Sequence, residues 1–236
     1  MVLKKKDFIE IEFTGMVKEG DVFDSNIKED LEKINSESTS NSQAQAKPFI
    51  FSLGEGMFLK GVEDFLEGKE VGKYKIELAP ENAFGNRESK LIKLIPSSAF
   101  RKENINPMKG MMFNFDGQIG KVISVSGGRV NIDFNNPIAG KNVVYDVNVL
   151  RKVEELNEKA KALVNFLFRR DLDFEIEDKK INLKIEEKFK QFAELFKDKF
   201  KEILDLDLVV ESIKEEEKKK EKGKEEEEEN TKEESQ

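Results

Sequence analysis

Polar and apolar residues alternate in the run FIEIEF at 8–13, the period of a strand with one buried face. Short alternating or apolar runs return at 49–53 (FIFSL), 73–78 (KYKIEL), 91–95 (LIKLI) and 143–150 (VVYDVNVL), and each predicts a strand. In GKVISVSGGRVNIDF, 120–134, two such runs flank a Ser-Gly-Gly turn, which predicts a hairpin; KEGD at 18–21 predicts another. VEDFLE at 62–67 predicts a short helix stopped by Gly68, and PENAFG at 80–85 predicts a loop. Residues 27–47 open with a short helix and pass into SESTSNSQAQA, whose composition predicts a flexible excursion ended by Pro48.

From about Val153 the period lengthens. Leu156, Ala160, Leu163 and Leu167 share one helical face. FEIEDKKINLKI at 174–185 predicts two short strands around a charged turn. Phe189, Phe192, Phe196, Phe200 and Ile203 recur at spacings of three and four and predict a second amphipathic helix. LDLVVESI at 206–213 closes the pattern as a last strand, and this stretch reads as a separate small α/β unit. Residues 214–236 are rich in Glu and Lys with no periodic apolar face, and predict a charged, disordered tail.

Composition narrows the chemistry. The net charge of -8 argues against broad nucleic-acid binding. Absence of Cys and His removes thiol nucleophiles, zinc–thiolate clusters and the usual general base. The chain is therefore expected to use no cofactor and no metal. Its N-terminus shows no apolar run of signal-peptide or membrane-spanning length, so the expected location is the cytoplasm, with no membrane partner.

One stretch stands out. FSLGEGMFLKGVEDF, 51–65, places aromatic residues and a Met around a glycine-rich turn. Such residues are either ordinary core or the wall of an apolar pocket. With FTGMVKEGDVFDSN at 13–26, FIFSLGEGMFLKGVEDFLEGKEVG at 49–72, PENAFG at 80–85 and VVYDVNVL at 143–150, the chain resembles the FKBP-type peptidyl-prolyl cis–trans isomerases. Within them it looks most like the SlyD-like, long archaeal type with an insert-in-flap domain. The resemblance spans 8–150 and implies an α+β fold: a bent antiparallel sheet around a short helix, an inserted mostly-β domain and a C-terminal α/β domain. The implied division is 1–86 plus 141–152 for the isomerase domain, 87–140 for the insert, 153–213 for the C-terminal domain and 214–236 for the tail.

The resemblance also implies roles. Phe23, Asp24, Phe58, Leu59 and Tyr145 stand at catalytic positions, with the Leu59 N–H receiving a carbonyl of the bound peptide. Phe13, Phe49, Phe51, Val62 and Phe84 stand at substrate-binding positions, Val62 where many relatives have a pocket-floor Trp. Phe13 and Phe84 replace Tyr, so both positions lack a hydroxyl, and Phe84 cannot donate to the substrate carbonyl. On pattern alone, Phe23 and Phe51 read as core and Asp24 as a turn-former. In the insert, Met111 and Phe113, with Met108, Met112 and Phe115, offer an adaptable apolar surface for unfolded chain or simply that module's core. SlyD's metal-binding tail has no counterpart. The implied function is prolyl isomerisation with chaperone binding of unfolded polypeptides; the alternative is a non-catalytic holdase with a weak pocket. Expected partners are proline-containing and unfolded polypeptides, and a second copy of the chain through the C-terminal domain.

Overall fold

The computed structural model describes residues 2–37 and 46–213. Most of the polar excursion (38–45) and the whole charged tail lie outside the described residues. In chain order the first elements are β1 (Phe8–Val17), β2 (Val22–Ser25), α1 (Lys28–Glu37), β3 (Phe49–Ser52), α2 (Lys60–Leu66) and β4 (Gly72–Leu78). Then come β5 (Ile92–Pro96), α3 (Ser97–Lys102), β6 (Met112–Phe115), β7 (Gln118–Ser126), β8 (Arg129–Asp133) and β9 (Val143–Val153). The last are α4 (Leu156–Phe168), β10 (Phe174–Glu177), β11 (Lys180–Glu186), α5 (Lys190–Glu194), α6 (Lys197–Leu204) and β12 (Asp207–Ile213).

The first sheet runs β2-β1-β9-β4, and β3 also pairs β1. β1 is long enough to hold β9 along one edge and to share the other: Phe8–Ile11 pair with β3, and Thr14–Met16 pair with β2. Alternation sends Ile11, Phe13, Tyr145, Val147 and Val149 to one face, where they are buried with Phe51, Leu53, Val62 and Leu66. The short helix α2 therefore lies in the hollow of a bent antiparallel sheet, as the alternation and the resemblance imply.

Gly61 lets α2 sit close to the loop after β4. A Cβ there would lie 2.4 Å from the Asn82 carbonyl oxygen and 2.7 Å from Leu78 Cδ2. Backbone cannot yield as a flexible side chain does. Gly61→Ala is expected to cost about 1–3 kcal/mol, read as a lower urea midpoint at unchanged slope.

The insert forms its own sheet, β5-β8-β7-β6, with a separate core of Phe100, Val122, Val130 and Ile132. Its two connections to the first sheet run side by side. The Gly140 N–H donates to the Gly85 carbonyl at 2.8 Å. The buried Asn135 accepts from the Glu88 N–H at 2.8 Å and donates to the Glu88 carbonyl at 3.0 Å.

The C-terminal region has a third sheet, β10-β11-β12, with β11 and β12 parallel and bridged by α5 and α6. Its buried residues Ala160, Leu163, Val164, Ile181 and Phe200 are continuous with the first core, and α4 packs on β3. The helix predicted across 189–203 is not continuous. α5 ends at Glu194, and the N–H groups of Leu195 and Phe196 bond three residues back, to Phe192 and Ala193, in a tightened turn. The break rotates α6 so that Phe200 is fully buried, while Phe192 and Phe196 pack edge-to-face against each other and against Phe168. Spacing alone could not show it, because a straight and a broken helix share the same period here. Among the described residues no helix is long and apolar enough to cross a membrane.

Candidate active site

The site begins with an irregularity between β1 and β2. Thr14 pairs with Ser25 and Gly15 with Asp24, but Met16 pairs with Val22, so Phe23 is an extra, unpaired residue. In regular alternation neighbours face opposite sides; the bulge turns both Phe23 and Asp24 toward the concave face. Ser25, buried beside them, anchors the strand by donating to the Phe13 carbonyl at 2.9 Å.

The aromatic residues predicted for the pocket come together in one network. Phe58 meets Phe13 at 4.8 Å between ring centroids, Phe51 at 5.5 Å, Phe49 at 5.7 Å and Tyr145 at 5.8 Å. Phe23 meets Phe84 at 5.4 Å and Tyr145 at 5.9 Å, both edge-to-face. Phe13, Phe51, Val62 and Tyr145 are buried and form the floor. Phe23, Phe49, Phe58, Leu59 and Phe84 are only partly buried and form the rim. The result is an apolar basin open to solvent, with side chains from β1, β2, β3, β9, the turn before α2 and the loop after β4.

Asp24 brings a carboxylate to the edge of the basin, close enough to Tyr145 to act on it. Asp24 is accessible to solvent, yet the neighbouring apolar groups strip water from the carboxylate. This desolvation raises its pKa above the usual value, and the Ser25 backbone N–H offsets part of that rise. Burial, and secondarily the Asp24 charge, push the Tyr145 phenol well above its ordinary value, so it stays a neutral donor.

The lip of the basin depends on Glu63, which sequence reasoning passed over. Glu63 is buried, and its carboxylate accepts backbone N–H groups from Gly54 at 2.8 Å, Gly56 at 3.1 Å and Phe58 at 2.7 Å. Gly54 and Gly56 have φ of 80° and 70°, which side chains disfavour. Their N–H groups form a small nest around the anion. A signal was present: an acidic residue placed between Val62 and Leu66 on the inward face of a helix needs partners, and a glycine turn next to it has unpaired donors. The Leu59 N–H has no partner among the described residues, and Leu59 sits at the N-terminal boundary of α2.

Met111 and Phe113 lie apart from this basin, on the inserted sheet. Phe113 packs on Phe100 at 5.4 Å, while Met108, Met111 and Met112 are exposed. A groove of about 430 Å³ lined by Glu12, Thr14, Lys75, Asp146 and Asn148 lies on the opposite face of the first sheet, and none of the predicted site residues lines it.

Comparison with known proteins points to one family. The family model for the FKBP26 IF domain matches residues 93–138. A short-type peptidyl-prolyl cis-trans isomerase of Methanocaldococcus jannaschii is 31% identical over 149 residues, 63% of this chain and 92% of that protein. A probable FKBP-type 16 kDa peptidyl-prolyl cis-trans isomerase of Pseudomonas fluorescens is 33% identical over 118 residues, 48% of this chain and 77% of that protein. The SlyD isomerase of Haemophilus influenzae is 29% identical over 119 residues, 48% of this chain and 62% of that protein. The chain belongs to the FKBP-type peptidyl-prolyl cis–trans isomerase family. It carries an insert-in-flap domain and is related to the SlyD-like proteins at moderate identity.

Proposed function

We propose that this chain is a peptidyl-prolyl cis–trans isomerase of the long archaeal, SlyD-like kind, that the aromatic basin is its active site, and that it also binds unfolded chain. The observation that carries the reading is the convergence of Phe13, Phe23, Phe49, Phe51, Phe58, Phe84 and Tyr145 in one network of rings, with the partly desolvated Asp24 carboxylate close enough to act on Tyr145.

The chemistry follows from the prolyl amide. Its isomerisation is opposed by a barrier of about 20 kcal/mol, because twisting the C–N bond removes amide resonance. The planar amide is the more polar state, and the twisted one has lost much of its charge separation. An apolar basin that excludes water therefore disfavours the planar state relative to the twisted one. Phe51, Val62 and Tyr145 receive the proline ring; Phe23, Phe58 and Phe84 exclude water around it. The free Leu59 N–H holds a peptide carbonyl on one side, so the bond turns against a fixed point. Asp24 faces the rotating carbonyl. No nucleophile, acid or base is needed.

In this reading the exposed methionines of the insert take up unfolded segments, and the C-terminal region contacts a second copy or extends that surface. The proposed domains are 1–86 with 141–152, 87–140 and 153–213, followed by the segment 214–236. A second reading, a holdase with a vestigial pocket, is favoured by the absence of hydroxyls at Phe13 and Phe84. The test is isomerisation of a proline tetrapeptide by the full chain. Asp24→Ala and Phe58→Ala are each expected to lower kcat/KM about tenfold or more, roughly 1.4 kcal/mol of transition-state stabilisation. Unchanged rates in both variants would mean the site is wrongly assigned. A wild-type chain inert toward peptides but active in suppressing aggregation would favour the holdase.

A further inference from the structure

Gly15 occupies a singular place in the sheet. It pairs with Asp24 on β2 and with Tyr145 on β9, so the row Asp24–Gly15–Tyr145 crosses three strands on the concave face. Gly15 leaves the middle of that row empty, and Tyr145 fills it. A Cβ at Gly15 would lie 2.9 Å from both Cε1 and Cζ of Tyr145, and 3.1 Å from Phe23 Cζ. The hydroxyl end of Tyr145 thus reaches across the glycine toward the strand that carries Asp24.

The Tyr145 residue is 2% exposed, yet its hydroxyl has no hydrogen-bond partner among the described residues. It is also absent from the fully enclosed, unpaired side-chain atoms, Ser52 Oγ and Asn165 Oδ1. Its oxygen is therefore not fully enclosed and keeps a small contact with solvent. A buried phenol normally finds a partner. This one belongs to a ring that lies among Phe13, Phe23 and Phe58 of the basin, and the rise in its pKa keeps the proton on the oxygen.

We propose that the Tyr145 hydroxyl is a substrate-binding hydrogen-bond donor, that it takes a carbonyl of the bound peptide flanking the isomerising bond, and that Gly15 is the position that allows it to do so. The flanking carbonyl is the partner for an energetic reason. A donor on the isomerising carbonyl itself would strengthen amide resonance and hold the bond planar, against the reaction. A donor on a neighbouring carbonyl binds planar and twisted states equally and acts on affinity. The inference rests on the basin being the active site.

The experiment uses the full chain and a blocked proline tetrapeptide. Tyr145→Phe is expected to raise KM about three- to tenfold, the worth of one neutral hydrogen bond, with kcat nearly unchanged. Gly15→Ala, which pushes the phenol aside, is expected to raise KM likewise. A measurement on the unmutated protein guards against misfolded variants. The chain has only two tyrosines, so with 13C at the tyrosine Cζ, saturating peptide should move the Tyr145 resonance. That of Tyr74, already bonded to the Glu70 carbonyl at 2.7 Å, should stay. Unmoved Tyr145 resonance, an unchanged KM, or a loss confined to kcat would each overturn the assignment. If Asp24→Ala and Phe58→Ala still lower kcat/KM in that case, the basin stands and only the role of Tyr145 falls.

Discussion

Glu63→Ala should be the most destabilising single substitution near the basin, by about 3–5 kcal/mol. The carboxylate is the shared acceptor for the N–H groups of Gly54, Gly56 and Phe58, and the residue is buried. Truncation removes the bonds and leaves a turn whose donors point into an emptied space. Water can reach some of them, because the lip is near the surface, so the loss stops short of the sum of three fully buried orphans. The expected signature is a lower denaturant midpoint at constant slope. Activity should fall further than stability implies, since the Phe58 N–H is one of the anchored groups and the Phe58 ring touches four others in the basin. Glu63→Gln should fall between the two. It keeps an acceptor oxygen but turns an NH2 toward at least one backbone donor. A loss below about 1 kcal/mol for the alanine variant would show that the turn holds itself and the carboxylate is incidental.

Glu63 also marks where sequence reading stopped. The strands were readable because their alternating runs are long and bounded by Gly, Pro and Asn. The short helix α2 was readable from VEDFLE and Gly68. The rings of the basin were placed in one set by four ordered motifs, and the structure brings them together. What escaped were features set by geometry rather than pattern. A bulge adds one residue to a strand, and the letters VFDS look the same with or without it. Yet the bulge is what turns Phe23 and Asp24 to the same side. Gly15 reads as one more small residue until Tyr145 is seen lying over it. The break between α5 and α6 follows from where Phe200 finds its core, and this depends on β12 and α4, far away in sequence.

Excising residues 87–139 and closing the gap with a two-residue turn should separate the two proposed activities. The geometry favours it. The Gly140 N–H already meets the Gly85 carbonyl at 2.8 Å, so the cut ends are neighbours and a tight linker adds little strain. The inserted core of Phe100, Val122, Val130 and Ile132 is a cluster of its own, so its removal opens little of the core beneath the basin. The bonds lost, such as those between Asn135 and Glu88, belong to the stalk that leaves with it. In the proposed function a tetrapeptide is held by the basin alone, so its kcat/KM should change by no more than about threefold. An unfolded protein is different. If the exposed Met108, Met111 and Met112 hold one segment while the basin works on another, tethering raises the local concentration of prolines. Loss of the second contact should then slow catalysed refolding of a proline-limited protein by about 100-fold, with aggregation suppression lost in parallel. Equal losses on peptide and protein would instead mean that the insert shapes the basin itself. Equal retention would leave the methionines without a role in client binding and return the chaperone half of the proposal to the C-terminal region.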